Sequence, residues 1–373
     1  MSGVPASVQN MDLTATTAEL AGAAAEVARL LPTRVLDPVL AGLRLKAGMD
    51  VEVAGSDQEH GVRLSVNATV HTEGEVLVPA KPLAATLQAL DDPQVRLKVE
   101  GQRLAIRTPT SRFAIPLLDL AHHPGVPALP TLQGHVDAAT LRTIAAVAGA
   151  ASKDDALPIF TGIRIQSDAQ RLHFMATDRY RMAYATLPWE QHGQLDLLVP
   201  AKAIVEAARQ ATNQVALHAN EDRIGLAWGN NSISTALLAA PFPDDRARRL
   251  LEAVIDSTVL VDADALARAV RRATPYGGPH QAVTIQVEDS EIRVKGSDPQ
   301  QGESEEFVKA TVEGDRLTKT FQSRYLADAL KAFAGRRIEL KIQDGLRSTV
   351  LTSPPGEDGV ELTYLVVPMR SVA

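Results

Sequence analysis

The sequence predicts an α+β protein of three similar domains, each with two helices packed on antiparallel sheets. Three observations lead there. The chain has 373 residues, 45% of them hydrophobic and 22% charged, which suits two or three domains that each bury a core. Several segments recur in one order at a nearly constant offset. Within each unit the hydrophobic period also switches between 3.6 and 2 in a fixed order.

The repeat decides the domain count. Val76-Leu77-Val78-Pro79-Ala80-Lys81 returns 121 positions later as Leu197-Leu198-Val199-Pro200-Ala201-Lys202, and a weaker copy starts at Phe321-Gln322-Ser323-Arg324. Gly55-Ser56-Asp57 matches Ala176-Thr177-Asp178 and Gly296-Ser297-Asp298, and Pro38 to Leu45 matches Pro158 to Ile165. The period far exceeds that of a solenoid, so each unit is a domain, at 10–130, 134–254 and 258–373. Pro/Gly-rich His123 to Pro130 and charged Asp244 to Arg249 lie near the joints.

Each unit opens with a helical pattern, at Thr16 to Leu31, Ala138 to Ala151 and Ala263 to Ala273, with apolar residues three and four apart. Alternating strands follow, such as Val62 to Val70, Arg171 to Met175 and Val283 to Val287. A second helix is expected at Lys81 to Leu90, Ala203 to Ala211 and Tyr325 to Phe333. Strands including Val95 to Ile106, Val215 to Leu226 and Ile338 to Ile342 close the units.

The net charge of -7 argues against a surface that grips nucleic acid everywhere, though not against a local basic lining. Lys81, Lys202 and Arg324 stand in register at the start of the second helices, where the helix dipole disfavours a cation. Arg268, Arg271 and Arg272 share one helix, and acidic residues collect in Gly302 to Glu306 and Gly356 to Asp358. This distribution fits a backbone-only, sequence-blind contact with a polyanion.

With no cysteine, disulfides and thiolate chemistry are excluded. Lys and Arg are missing before Arg29 and no long apolar run occurs, so neither a secretory signal nor a membrane span is expected, and the cytoplasm is the default location. No phosphate loop, nucleophile elbow or paired-His zinc helix is present, so no cofactor, metal or catalysis is expected. His122-His123 reads as loop chemistry, and Asp57, Asp178 and Asp298 read as turn residues accepting backbone N–H bonds.

Ala176-Thr177-Asp178-Arg179-Tyr180-Arg181-Met182-Ala183 and the ending Tyr364-Leu365-Val366-Val367-Pro368-Met369-Arg370 resemble motifs of the bacterial DNA polymerase III beta subunit, the replicative sliding clamp, most nearly of actinobacterial type. Leu157 to Gly162 also fits, and the resemblance spans nearly the whole chain. It implies the DNA clamp fold and a head-to-tail homodimer that closes into a ring around double-stranded DNA. It further implies a non-catalytic processivity factor that tethers the DNA polymerase III alpha subunit, the clamp loader and other proteins carrying a clamp-binding motif.

The resemblance carries a peptide pocket onto Phe160, Thr177, Arg179, Tyr180, Arg181, Met182, Pro243, Tyr325, Leu365, Val366, Val367, Pro368, Met369 and Arg370. The bland reading of its apolar members is core packing, and of its arginines surface solvation. Arg34, Lys81, Lys153, Lys202, Arg209 and Arg324 are the candidates for DNA phosphate contact. Phe160 stands where the family usually has Leu and Val367 where Met is common, which redistributes pocket volume and suggests a paralogous clamp tolerant of a clamp-directed inhibitor. From another class, a repeat-built interaction hub that never encloses DNA is the alternative.

Overall fold

A computed structural model describes residues 10–32, 35–154, 156–168, 170–189, 194–243, 255–354 and 359–370. Its elements follow one plan three times. The first repeat runs β1 (Asp12–Thr16), α1 (Thr17–Leu30), β2 (Gly42–Ala47), β3 (Val51–Ser56), β4 (His60–Val66), β5 (Ala68–Thr72), β6 (Gly74–Pro79), α2 (Ala80–Gln88), β7 (Gln94–Glu100), β8 (Arg103–Arg107) and β9 (Arg112–Pro116). The second has β10 (Leu132–Asp137), α3 (Ala138–Ala148), β11 (Gly162–Ser167), β12 (Arg171–Thr177), β13 (Arg181–Pro188), β14 (Asp196–Pro200), α4 (Ala201–Gln210), β15 (Gln214–Ala219), β16 (Arg223–Trp228) and β17 (Asn231–Ala236). The third has β18 (Ser257–Asp262), α5 (Ala263–Ala273), β19 (Ala282–Val287), β20 (Glu291–Asp298), β21 (Gly302–Gly314), β22 (Thr318–Gln322), α6 (Ser323–Lys331), β23 (Arg337–Ile342), β24 (Thr349–Thr352) and β25 (Glu361–Val366). β5, which pairs with β1, corresponds to the second half of β21, which pairs with β18 in the same way.

The helices form where the apolar spacing placed them. In α1, Leu20, Ala24, Val27 and Leu30 are buried, with Glu19 in the first turn and Arg29 in the last, as the dipole favours. Helix α5 is capped by Asp262, whose Oδ1 accepts from the Ala265 N–H at 2.7 Å, and it buries Leu266, Ala269, Val270 and Ala273. The repeated glycines have a packing reason. A Cβ on Gly42 would meet Leu77 Cδ1 at 2.8 Å, and one on Gly162 would meet Leu198 Cδ1 at 2.9 Å, so each repeat glycine admits the repeat leucine.

All strand pairs joining the named strands are antiparallel, in sheets of five, eight and twelve strands. The sheets cross repeat boundaries, which the expectation of one set of sheets per unit did not include. β17 pairs with β4, Ser232 opposite Arg63, and β13 pairs with β25, Arg181 opposite Val366. The chain forms two compact units, Met1–Ala138 with Arg209–Leu237 and Ala139–Ala208 with Leu238–Ala373, and each sheet lies within one of them. β4 and β13 occupy the same place in their repeats, as do β17 and β25, so both crossings are the same joint.

Candidate functional site

The three repeat aspartates build one type of turn. Asp57 Oδ1 accepts the His60 N–H at 2.6 Å, Asp178 Oδ1 accepts those of Tyr180 and Arg181 at 3.0 Å, and Asp298 Oδ1 accepts those of Gln300 and Gln301 at 2.9 Å. Each links two strands, as an Asx side chain does. Behind the first two, Gln58 and Arg179 hold φ of 79° and 78°, left-handed conformations uncommon for residues with a Cβ. In the second repeat Thr177 reinforces the turn: its hydroxyl donates to the Arg181 carbonyl at 2.7 Å and accepts the Arg179 N–H at 3.1 Å.

This turn stands beside the C-terminal segment because β13 and β25 are adjacent strands. Met182 lies opposite Leu365, and beyond the strand the Val367 N–H donates to the Tyr180 carbonyl at 2.9 Å. The Met369 N–H then donates to the Thr320 carbonyl of β22 at 2.7 Å. Residues distant in sequence are thus fixed together by backbone hydrogen bonds.

Beneath them Met175, Met182, Leu198, Phe242, Val350 and Leu365 form one buried apolar cluster, against which Ile159, Tyr184, Leu238 and Ala240 pack half-buried. Thioether side chains fill irregular space and suit a floor facing variable apolar groups. A chain of ring and cation contacts links the same segments. The Arg179 guanidinium lies 5.6 Å from the Phe160 ring centre and 5.9 Å from that of Tyr180. Tyr180, 52% exposed, stacks on Tyr325 at 5.7 Å with the planes 10° apart. Arg181 and Arg324 approach the Tyr325 ring at 5.1 and 4.7 Å.

Arg181 differs from its expected solvated state. Its side chain is 4% exposed, its Nε donates to Asp178 Oδ2 at 3.1 Å, and its Nη1 pairs with Asp328 of α6. Burial opposes its charge, but Tyr364, Asp328 and Asp178 outweigh this and raise its pKa above the ordinary arginine value. Burial likewise pushes the Tyr364 phenol well above the usual range. Buried charge kept by paired carboxylates fixes geometry, so Arg181 ties the turn to α6 from below.

The other expected pocket residues divide by depth. Thr177, Met182, Leu365, Val366 and Pro368 are buried; Phe160, Pro243, Tyr325, Val367 and Met369 are half-buried; Arg179, Tyr180 and Arg370 are exposed. Ile159, Leu238, Ala240 and Phe242 join this environment without having been singled out in the sequence. Their signal was proximity to Phe160 and Pro243 in apolar segments.

The expected DNA contacts lie on several elements. Lys81 is exposed on α2, Lys202 and Arg209 on α4, and Lys153 beyond α3. Arg324 also joins these ring and cation contacts, donating to the Tyr325 hydroxyl at 3.0 Å. Arg34 lies outside the described residues, as do Asp244 to Arg249 and Gly356 to Asp358. Among the described residues no group of His, Asp and Glu could hold a metal, and no helix is long and apolar enough to cross a membrane.

A threefold domain plan with strand-joined repeats, and a central turn tied to the C-terminal strand, is the plan of one class: the non-catalytic sliding clamps of DNA replication. Family models for the N-terminal, central and C-terminal domains of the DNA polymerase III beta subunit match residues 11–127, 136–244 and 248–370, and the chain belongs to that family. It is 30% identical to the beta sliding clamp of Streptomyces coelicolor over 94% of this chain and 97% of that protein. It is also 27% identical to a beta sliding clamp homolog, GriR, of Streptomyces muensis over 92% of this chain and 95% of that one. Among solved structures, the Thermotoga maritima beta subunit matches with a TM-score of 0.80 at 22% identity, covering 96% of this chain and 99% of that one. A Pseudomonas aeruginosa clamp bound to griselimycin matches with a TM-score of 0.78 at 24% identity, covering 97% of this chain and 100% of that one.

Proposed function

We propose that two copies of this chain close head to tail into a ring around duplex DNA. The observation that carries this reading is the repeated joint. β4 takes β17 and β13 takes β25, while the equivalent stretch of β21, Gly302–Lys309, pairs only with β20 among the described residues. β9, the counterpart of β17 and β25, ends its five-stranded sheet. An open β21 in one copy and an open β9 in another supply the same joint, and a heterologous contact of this kind closes when the rotation permits. The edges are complementary: β8 and β9 carry exposed Arg103, Arg107, Arg112 and Phe113, and β21 carries exposed Glu303, Glu305 and Phe307.

The repeat domains span 10–130, 134–254 and 258–373, and six of them make up the ring. Binding is topological, so an acidic protein with sparse cations at Arg34, Lys81, Lys153, Lys202, Arg209 and Arg324 can hold DNA without a preferred register. The apolar site receives a peptide segment of the polymerase alpha subunit, of the clamp loader or of other proteins with a clamp-binding motif. Its rim residues Phe160, Arg179, Tyr180 and Arg370 meet the peptide, and Met182 and Leu365 support it from beneath. The ring works in the cytoplasm.

Retention on nicked circular DNA, followed by loss when that DNA is cut to a linear form, tests the ring. Equal retention on both forms makes the protein a non-encircling hub instead. A second reading rests on Phe160, a large ring under Arg179 at the mouth of the site: a paralogous clamp that excludes an inhibitor such as griselimycin while accepting polymerase. If a pocket-directed cyclic peptide binds as tightly as it does to an ordinary clamp, that reading fails.

A further inference from the structure

A row of small side chains crosses the eight-stranded sheet of the first unit. Strand pairing sets Ser56 opposite Gly61, Gly61 opposite Ser234, Ser234 opposite Gly225 and Gly225 opposite His218, so the five share one face of β3, β4, β17, β16 and β15. In the second joint the same register carries Thr177, Met182, Leu365 and Val350, and the last three build up an apolar floor. In the first joint the row is hollow.

The linker between the first two repeats lies in that hollow. A Cβ on Gly61 would meet Pro127 Cδ at 3.0 Å and Val126 Cγ1 at 3.2 Å, and one on Gly225 would meet Leu129 Cδ2 at 2.5 Å. The segment reads Pro124-Gly125-Val126-Pro127-Ala128-Leu129-Pro130, with its prolines three apart. That is the period of a polyproline II helix, which puts Val126 and Leu129 on one side. Three residues of such a helix advance about 9.3 Å, and the two strand spacings from Gly61 to Gly225 span about 9.6 Å. Val126 and Leu129 are half-buried and Ala128 is exposed, as this period requires. Side chains hold the segment, not its backbone: His218 Nδ1 donates to the Pro130 carbonyl at 3.0 Å, but Val126 to Leu129 make no hydrogen bond among the described residues. Ser234, 2% exposed in the middle of the row, has a hydroxyl that is also without a partner among the described residues.

We propose that this row is a groove for an extended, proline-spaced peptide segment of a partner protein, with Val126 and Leu129 occupying it in cis as a tethered stand-in. Gly61 and Gly225 admit two apolar side chains three apart, and the Ser234 hydroxyl is placed to donate to a carbonyl of the entering backbone. A preformed polyproline helix loses little entropy on docking, which suits a groove that offers no large apolar side chain. A segment joined to the sheet by so few hydrogen bonds belongs to the parts of a fold that open most readily. The groove lies wholly within the first unit and stands whether or not the chain closes into a ring.

The probe is a labelled synthetic peptide with the sequence His123 to Thr131, followed by fluorescence anisotropy against the full chain. V126S/L129S removes both anchors while keeping the prolines and the length. It should bind the peptide saturably at one per chain. The wild type, whose own segment competes at high effective concentration, should bind at least about tenfold more weakly. A control peptide with serine in place of both anchors should bind neither protein. Absence of saturable binding to folded V126S/L129S overturns the proposal, as does equal binding of the two peptides or of the two proteins. Circular dichroism reads folding, and if V126S/L129S does not fold, L129A takes its place under the same criteria. Retention on nicked circular DNA is measured on the same proteins: its absence in the wild type counts against the ring alone, and peptide binding decides the groove.

Discussion

Arg181 and Asp328, 147 positions apart in sequence, form an ion pair that fastens the turn between β12 and β13 to helix α6. Arg181 is buried and also donates to Asp178, while Asp328 is nearly half exposed. The two ends of the pair should therefore respond unequally to substitution. Arg181→Met leaves Asp178 buried without its partner and should cost about 3 kcal/mol in urea unfolding, whereas Asp328→Asn, partly solvated, should cost about 1 kcal/mol or less. Equal losses would contradict the depth assigned to Arg181.

Met369 and Arg370 are expected to serve the peptide and not the fold. Met369 is tied to β22 by its backbone N–H, which Met369→Ala keeps, and Arg370 is exposed. M369A/R370A should weaken a polymerase-tail peptide about tenfold or more, equivalent to about 1.4 kcal/mol, with an unchanged dimer mass. Calorimetry and sedimentation read the two effects separately, and a dimer that dissociates makes the C-terminus structural.

Arg179 combines a left-handed backbone with a side chain over Phe160. Arg179→Gly relieves the backbone and removes a cation–π contact, each on the order of 1 kcal/mol and opposite in sign. Thermal stability should stay nearly constant while peptide affinity falls. A large loss of stability would mean that the guanidinium holds the turn itself.

Phe113 on β9 and Phe307 on β21 are 44% and 57% exposed. Phe307→Asp should shift the sedimenting species from dimer to monomer, because it adds a like charge beside Glu305 and removes apolar area. Raising salt should weaken the wild-type dimer through the opposed Arg and Glu edges. A dimer indifferent to both places the joint elsewhere.

Asp57 supplies a pH test for the turns. Burial raises its pKa, but hydrogen bonds from His60 outweigh burial and hold the carboxyl below its ordinary value. The unfolded carboxyl titrates near pH 3.9, so the stability from this group is fully present above about pH 4 and is lost as pH falls through the lower folded value. The stability difference between wild type and Asp57→Asn should therefore be largest above that pH and shrink on acidification. An unchanged difference at pH 2 would show that the carboxylate charge does not matter.

The repeat made much of the fold legible before any coordinates. Six helices fall where apolar spacing put them, and the three aspartates do accept backbone N–H bonds at turns. Strand pairing across repeats was not legible, because the pairing of β13 with β25 joins residues such as Arg181 and Val366 that no local pattern connects. For the same reason the burial of Arg181 was hidden: a charged residue reads as solvated until its distant partner Asp328 is in place. Ile159, Leu238 and Phe242 escaped notice because single apolar residues in short segments look like ordinary core.

Met182 and Leu365 face each other on adjacent strands of one ladder, so the distance between these two sides of the site is a single interstrand spacing of about 4.8 Å. Neither side can move away without breaking backbone hydrogen bonds. If this is the peptide site proposed above, its floor is a gauge of fixed width that asks for side chains of the right girth, and the exposed Arg179 and Tyr180 are the groups left to adapt.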